Sequence, residues 1–310
     1  MVGKSLDGLS LAEIFEPPWA DPPVGPPPFG FESPVHVGQI PKTLIGQEVW
    51  TLVTLLFPEL KVNEAKELTE FGSLWIDRRL VSDPLAKING KEFRINLPAY
   101  KPQIYYEIDP KRLVFEDKDL LIYDKESGPP TVPVPHDLKN NLKAALERYT
   151  GLSLRAPHRL DAASSGLVIM AANRLSASRL SRGFMEKKIV KRYLALSVGP
   201  KPDFSKTQVE AVIYKVGQVY KTSQSGPGYP SQTIVTFLGE FEDKLLFLCQ
   251  PLTGRTHQIR LHLAHLGYPI VGDKLYGGIN GPRLALKASG LSFNHPGTGK
   301  LMTFGGPWPD

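Results

Sequence analysis

The chain has 310 residues, a formal net charge of +6 and a pI near 9.2, with 41% hydrophobic and 22% charged residues. That length suits two globular domains with a sizeable core, and the positive balance fits either a polyanionic partner or a solubility role alone. A lone cysteine, Cys249, excludes an intramolecular disulfide, and no apolar stretch is long enough for a bilayer or a signal core, so membrane and secreted classes give way to a cytoplasmic expectation.

Residues 1–46 carry Pro17, Pro18, Pro22, Pro23, Pro26, Pro27 and Pro28 among glycines and aromatics, the composition of an extended or wrapping arm. Residues 47–100 read as a small α+β module. Val49, Leu52, Val53 and Leu56 recur at helical spacing, Pro58 interrupts, a second helical stretch follows around 64–70, and Gly72 to Asp77 lead into short strands. This order is similar to the S4 RNA-binding fold, in degenerate form. Where S4 modules carry arginines at the start of the second helix, this chain has Lys61, Val62, Asn63 and Glu64, which leaves RNA-binding and structural roles both open.

Residues 101–310 form the expected catalytic domain. Its first elements are a strand, an acidic turn and a strand over 113–125, followed by the loop Lys125-Glu126-Ser127-Gly128. Residues 166–172 are a continuous apolar run suited to a strand buried on both faces. Asn173 is positioned to cap a helix in which Ala177, Leu180 and Phe184 share a face and Arg174, Arg179, Arg182, Lys187 and Lys188 intervene. In the next strand Lys191 and Tyr193 project on one side, Arg192 and Leu194 on the other. A hairpin is expected from 233–238 and 245–250. After it, Thr256 is the expected N-cap of a helix burying Ile259, Leu263 and Leu266 and ending at Gly267. Cys249, flanked by Leu246, Phe247 and Leu248, reads as a core thiol.

Two runs carry the chemistry. His158-Arg159-Leu160-Asp161-Ala162-Ala163-Ser164-Ser165-Gly166 places a carboxylate in a short loop before the buried strand, and Gly254-Arg255-Thr256-His257-Gln258-Ile259-Arg260 places a guanidinium before a helix. Taken singly, Asp161 reads as a loop cap, Arg255 as a structural ion-pair member and Tyr193 as sheet packing. In that order, and joined by Lys191-Arg192-Tyr193-Leu194-Ala195, they resemble the three segments of the RluA branch of the RNA pseudouridine synthases. Gly272-Asp273-Lys274-Leu275-Tyr276-Gly277 resembles a further family segment, expected to shape the pocket wall. Glu126 stands where the family's lysine-proline-glycine loop has proline.

The resemblance implies an α+β fold with a mainly antiparallel central sheet, and site-specific isomerisation of uridine to pseudouridine in ribosomal or transfer RNA. Asp161 is then the catalytic carboxylate, as nucleophile or as base for the ribose 2′ proton, Arg255 its charge partner, and Tyr193 the surface against which uracil stacks and a group suited to help remove the C5 proton. His158, Arg159, Arg179, Arg182, Lys187, Lys188, Lys191 and Arg192 are the expected RNA contacts, each alone also readable as surface charge. Nothing is oxidised and no group is transferred to an acceptor, so no cofactor or metal is expected. His257, His262 and His265 invite a metal-dependent hydrolase reading, but spacings of five and three residues do not share a helix face. A non-catalytic RNA-binding or RNA-folding protein on the same fold is the rival. No obligatory protein partner is expected, and a monomer is.

Overall fold

The computed structural model describes residues 35–96, 106–134, 138–217, 219–241 and 243–306, so Pro17 to Pro28 of the expected arm lie outside the described residues. The described residues divide into two compact units, one drawn from 25–108 and 129–151, the other from 109–128 and 152–310.

In the smaller unit a four-stranded antiparallel sheet has the order β1 (Val35–Gln39), β4 (Glu92–Asn96), β2 (Leu74–Ile76), β3 (Arg79–Val81). Helices α1 (Val49–Leu56) and α2 (Val62–Glu70) flank Pro58, whose ring cannot continue a helix. Val49, Leu52 and Val53 of α1 and Ala65 and Leu68 of α2 bury the face that the spacing marks, and they close a core with Leu74, Ile88 and Ile95. The unit also takes in α3 (Leu142–Thr150), well past residue 100 in the chain. Asn141 caps this helix by accepting from the Ala144 amide, and Gly151 ends it in the left-handed conformation.

The larger unit is built on a ten-stranded sheet of order β10-β9-β11-β12-β8-β13-β7-β6-β5, with β14 added on β13. The strands are β5 (Leu113–Glu116), β6 (Leu120–Lys125), β7 (Ser165–Ala171), β8 (Val190–Ser197), β9 (Lys206–Val216), β10 (Val219–Ser223), β11 (Tyr229–Phe241), β12 (Lys244–Pro251), β13 (Leu286–Asn294) and β14 (Leu301–Gly305). Among the described residues, every pairing in it is antiparallel except β13 with β7. The expected mainly antiparallel sheet is therefore what forms.

Every residue of β7 is buried, as its apolar run requires. Its second residue, Gly166, sits at φ +109, and a Cβ there would fall 2.3 Å from the Ala288 carbonyl oxygen of β13. Only glycine allows the two backbones to approach so closely. Helix α4 (Arg174–Met185) starts where Asn173 accepts from the Ser176 amide at 2.9 Å and packs Leu180 against Ile169 and Phe293. Helix α5 (Gln258–His265) buries Ile259 and Leu263 beside Val235, Phe247 and Ile270. Burial of each such side chain contributes about 1.5–3 kcal/mol before the entropy of ordering is deducted. Cys249 lies in the same cluster, fully buried, and burial pushes its thiol pKa up.

The start of α5 differs from expectation. Thr256 does not cap it; His257 takes the N-cap place with a left-handed backbone, φ 56, and its side chain makes no cap bond. The side chain of Gln258 turns back instead, accepting from the Arg255 amide at 3.0 Å. Its own amide nitrogen donates to the Gln232 carbonyl and Thr233 hydroxyl, so a buried glutamine ties the turn to β11. No helix among the described residues is long and apolar enough to cross a membrane.

Candidate active site

The loop after Pro157 carries Asp161 and is held from below by the Lys125–Gly128 turn. Lys125 is fully buried, and its ammonium donates to the carbonyl of Ala162 at 3.1 Å and to that of Glu126 at 2.7 Å. The Gly128 amide reaches the same Ala162 oxygen at 2.8 Å, and the Ser127 hydroxyl donates to the Ala163 carbonyl at 2.7 Å. Three donors on consecutive carbonyls fix the backbone while leaving the Asp161 carboxylate 27% exposed. The substitution of Glu126 for proline leaves this clamp intact, because the bonds come from its neighbours and its own carbonyl.

Asp161 opens into a hollow of about 580 Å³, within the range of small-ligand sites. Tyr193 and Lys191 of β8, Arg255 of the β12–α5 turn, His257 and Arg260 line the same hollow, together with His158, Arg159 and Lys187. The convergence of Asp161, Tyr193 and Arg255 is long-range, brought about by β8 lying between β12 and β13 while β13 runs beside β7.

The partners differ from the simple pairing expected. Arg255 makes no ion pair with Asp161 in this structure. Its Nε donates to the Pro230 carbonyl at 3.2 Å, and its guanidinium carbon stands 5.2 Å from the centre of the Tyr229 ring, a cation–π distance. The cationic partner within ion-pair distance of Asp161 is His257, with Nε2 at 3.7 Å from Oδ2, too long for a hydrogen bond. Its other nitrogen lies 2.7 Å from the Tyr276 hydroxyl, which already accepts from the Tyr220 amide. This arrangement favours donation from the hydroxyl to Nδ1, with the imidazole hydrogen on Nε2 facing the carboxylate. Burial holds His257 below its ordinary pKa although Asp161 pulls the other way.

Behind it, Arg260 and Asp273 form a bidentate buried pair, Nε to Oδ2 at 2.8 Å and Nη2 to Oδ1 at 2.7 Å. Arg260 also packs over Tyr276, 5.0 Å from the ring centre. The Asp273 turn thus braces the wall from outside the hollow, through Arg260 and Tyr276, and is not itself part of the lining.

Burial, reinforced by the Asp161 charge, raises the Tyr193 pKa, so the ring enters the site as a neutral phenol. Burial pulls Lys191 down to about 8, and its ammonium contacts only the Thr253 carbonyl, at 3.4 Å. Of the other expected RNA contacts, Arg159 and Lys187 are exposed at the rim. Arg182 is exposed on α4, and Arg192 projects to the opposite face of β8. Arg179 holds the Pro296 carbonyl at 2.5 Å, and Lys188 pairs with Glu186 at 2.7 Å.

His158 is a framework residue. It accepts from the Ile169 amide at 2.9 Å and stacks on Phe184 with ring centres 4.6 Å apart. Burial lowers its pKa to about 3, with Lys191 adding to the effect. Between that value and the ordinary 6.5 the unfolded chain binds a proton that the folded chain does not, so stability falls as pH falls through this window. His158→Gln keeps an acceptor and removes the titration. In urea unfolding, it is expected to lose about 1–2 kcal/mol less stability than the parent between pH 7 and pH 5.

The three histidines diverge: His262 bonds to Ser231 at 2.8 Å inside the core, His265 lies near Gln224, and His257 faces the hollow. They do not form a ligand set.

The family model described as RNA pseudouridylate synthase matches residues 119–265. The ribosomal large subunit pseudouridine synthase C of Vibrio parahaemolyticus is 31% identical over 262 residues, covering 80% of this chain and 81% of that protein. The tRNA pseudouridine(31) synthase of Saccharomyces cerevisiae is 33% identical over 186 residues, 53% of this chain and 46% of its own. Among solved structures, human RNA pseudouridylate synthase domain containing 1 aligns with a TM-score of 0.53 at 27% identity, over 64% of this chain and 83% of that one. The chain belongs to the RNA pseudouridylate synthase family, in its RluA-type branch. It is thus an isomerase that converts uridine to pseudouridine in RNA.

Proposed function

We propose that this enzyme acts on specific uridines of structured ribosomal or transfer RNA, as a cytoplasmic monomer, with Asp161, Tyr193 and Arg255 as its catalytic group. The observation that carries the reading is a single hollow lined by an acid, a phenol and cations from separate segments of the chain. Relatives named for ribosomal and transfer RNA support the substrate class.

The glycosidic bond of a stacked nucleotide is out of reach, so the target must leave its helix and enter the hollow. Uracil then lies on the Tyr193 ring with its ribose toward Asp161. The carboxylate either bonds to the sugar or base or takes the 2′ proton. The base turns, C5 bonds to C1′ as the carboxylate is released from sugar or base or returns the 2′ proton, and loss of the C5 proton with protonation of N1 restores the ring. Arg159, Lys187 and Arg182 supply rim charge for the backbone on either side, with the salt dependence that counterion release dictates. Arg179, Lys188 and Arg192 contribute to the same field at longer range.

The test is release of tritium from RNA labelled at uridine C5, followed by mapping of the new pseudouridines; no release from ribosomal or transfer RNA would reject the assignment. Arg255 is exposed and its guanidinium bonds only to one carbonyl. Arg255→Ala is therefore expected to leave the melting temperature within about 2 °C of the parent and to cut turnover by about 10²-fold or more. Normal turnover would remove Arg255 from the catalytic group.

A further inference from the structure

Lys191 is a half-buried cation that the reading above leaves without a task. It stands two residues before Tyr193 on β8, so both side chains leave the same face, about 6.5–7 Å apart along the strand. Both line the hollow that holds Asp161. No carboxylate among the described residues lies within ion-pair distance of Lys191, and its one hydrogen bond, 3.4 Å to the Thr253 carbonyl, is a weak one. An ammonium group that pays for burial without an anionic neighbour gains when negative charge arrives beside it.

The isomerisation delivers such charge. When the bond from N1 to C1′ breaks, its electron pair leaves with the base and spreads onto the uracil carbonyl oxygens. C1′ is satisfied by a bond to Asp161 or by loss of the 2′ proton to it. If Asp161 first adds to the ring instead, the pair again reaches a carbonyl oxygen. A base stacked on Tyr193 presents one edge toward Lys191, whose three N–H groups can only donate.

We propose that Lys191 is a catalytic residue of this synthase, its ammonium group meeting a carbonyl oxygen of the flipped uracil and stabilising the charge that the base acquires as the glycosidic bond breaks. The proposal rests on the isomerase reading and on Tyr193 as the stacking surface. Once C5 has bonded to C1′ with release of Asp161 or return of the 2′ proton, the C5 proton is lost and N1 takes one up, so the ring is restored and Lys191 again faces a neutral base.

The test compares two leaving groups. A short RNA containing the mapped target is prepared with uridine or with 5-fluorouridine, whose fluorine stabilises the departing base without help. Loss of the original nucleoside is followed under single-turnover conditions by chromatography of RNA digests. Lys191→Met is expected to slow uridine on the order of 10²-fold and 5-fluorouridine by less than about a tenth of that factor, with RNA affinity unchanged. Lys191→Arg, which keeps the charge, is expected to retain most of the rate. Lys191→Gln replaces the Met variant if the latter does not fold. Equal slowing on both substrates would assign Lys191 to packing, and weaker RNA affinity at unchanged rate would make it a backbone contact; either result overturns the proposal. A parent protein that converts neither RNA overturns the isomerase reading beneath it.

Discussion

Asp161→Asn is expected to reduce pseudouridine formation by at least about 10³-fold, which corresponds to about 4 kcal/mol of lost transition-state stabilisation. The substitution changes one oxygen into an amide nitrogen and leaves shape and volume alone. It removes the charge from the one carboxylate among the described residues that line the hollow, the group assigned to attack the ribose or take its 2′ proton, while Tyr193 is held neutral by burial. Folding is expected to survive. The loop backbone is fixed by donors from Lys125, Ser127 and Gly128 to the Ala162 and Ala163 carbonyls rather than to the carboxylate, whose ion-pair candidate His257 stands 3.7 Å away. Tritium release measured beside thermal unfolding separates the two effects. A variant with parental melting and parental release would show that the chemistry resides elsewhere.

Arg260→Met is expected to do the reverse, lowering stability by about 3–5 kcal/mol. Arg260 and Asp273 expose 7% and 1% of their side chains, and removing the guanidinium leaves a carboxylate buried with only the Leu275 and Tyr276 amides as donors. The loss should propagate to the site, because the Asp273 turn carries Tyr276, which steadies His257. Arg260→Met combined with Asp273→Leu is expected to recover much of the stability, since a buried charge pair replaced by apolar groups of similar volume is often neutral. Denaturant unfolding of the single and double variants measures the coupling. A single variant within about 1 kcal/mol of the parent would show the pair to be dispensable to the fold.

Local signals read well wherever the cause was local. Asn173 caps α4 as its place before an apolar helical stripe requires, and the strand–turn–strand over 113–125 forms around Asp117, whose side chain accepts from the Asp119 and Leu120 amides. Thr256 failed as a cap because His257 adopts a left-handed backbone and Gln258 satisfies the turn from inside. The buried state of Lys125 had no sequence signal. Its burial follows from the carbonyls of a loop 37 residues later turning toward it. The Asp273 turn was legible as a segment, but not the cation it would neutralise.

From its own residues the chain determines the class of chemistry: an acid in a loop before a buried strand, a phenol on an alternating strand, and cations at a turn into a helix are covalent facts of order and spacing. Gly166 likewise declares in advance a place where two backbones nearly touch. Tertiary structure alone decides who meets whom. It sets His257 rather than Arg255 near the Asp161 carboxylate, rests Arg255 on Tyr229 and Pro230, and leaves Lys191 half-buried without an anion within ion-pair distance. The reason is reach: a side-chain contact is settled within about 4 Å, and which groups come that close depends on strand register and on competing acceptors, quantities that no short stretch of sequence contains.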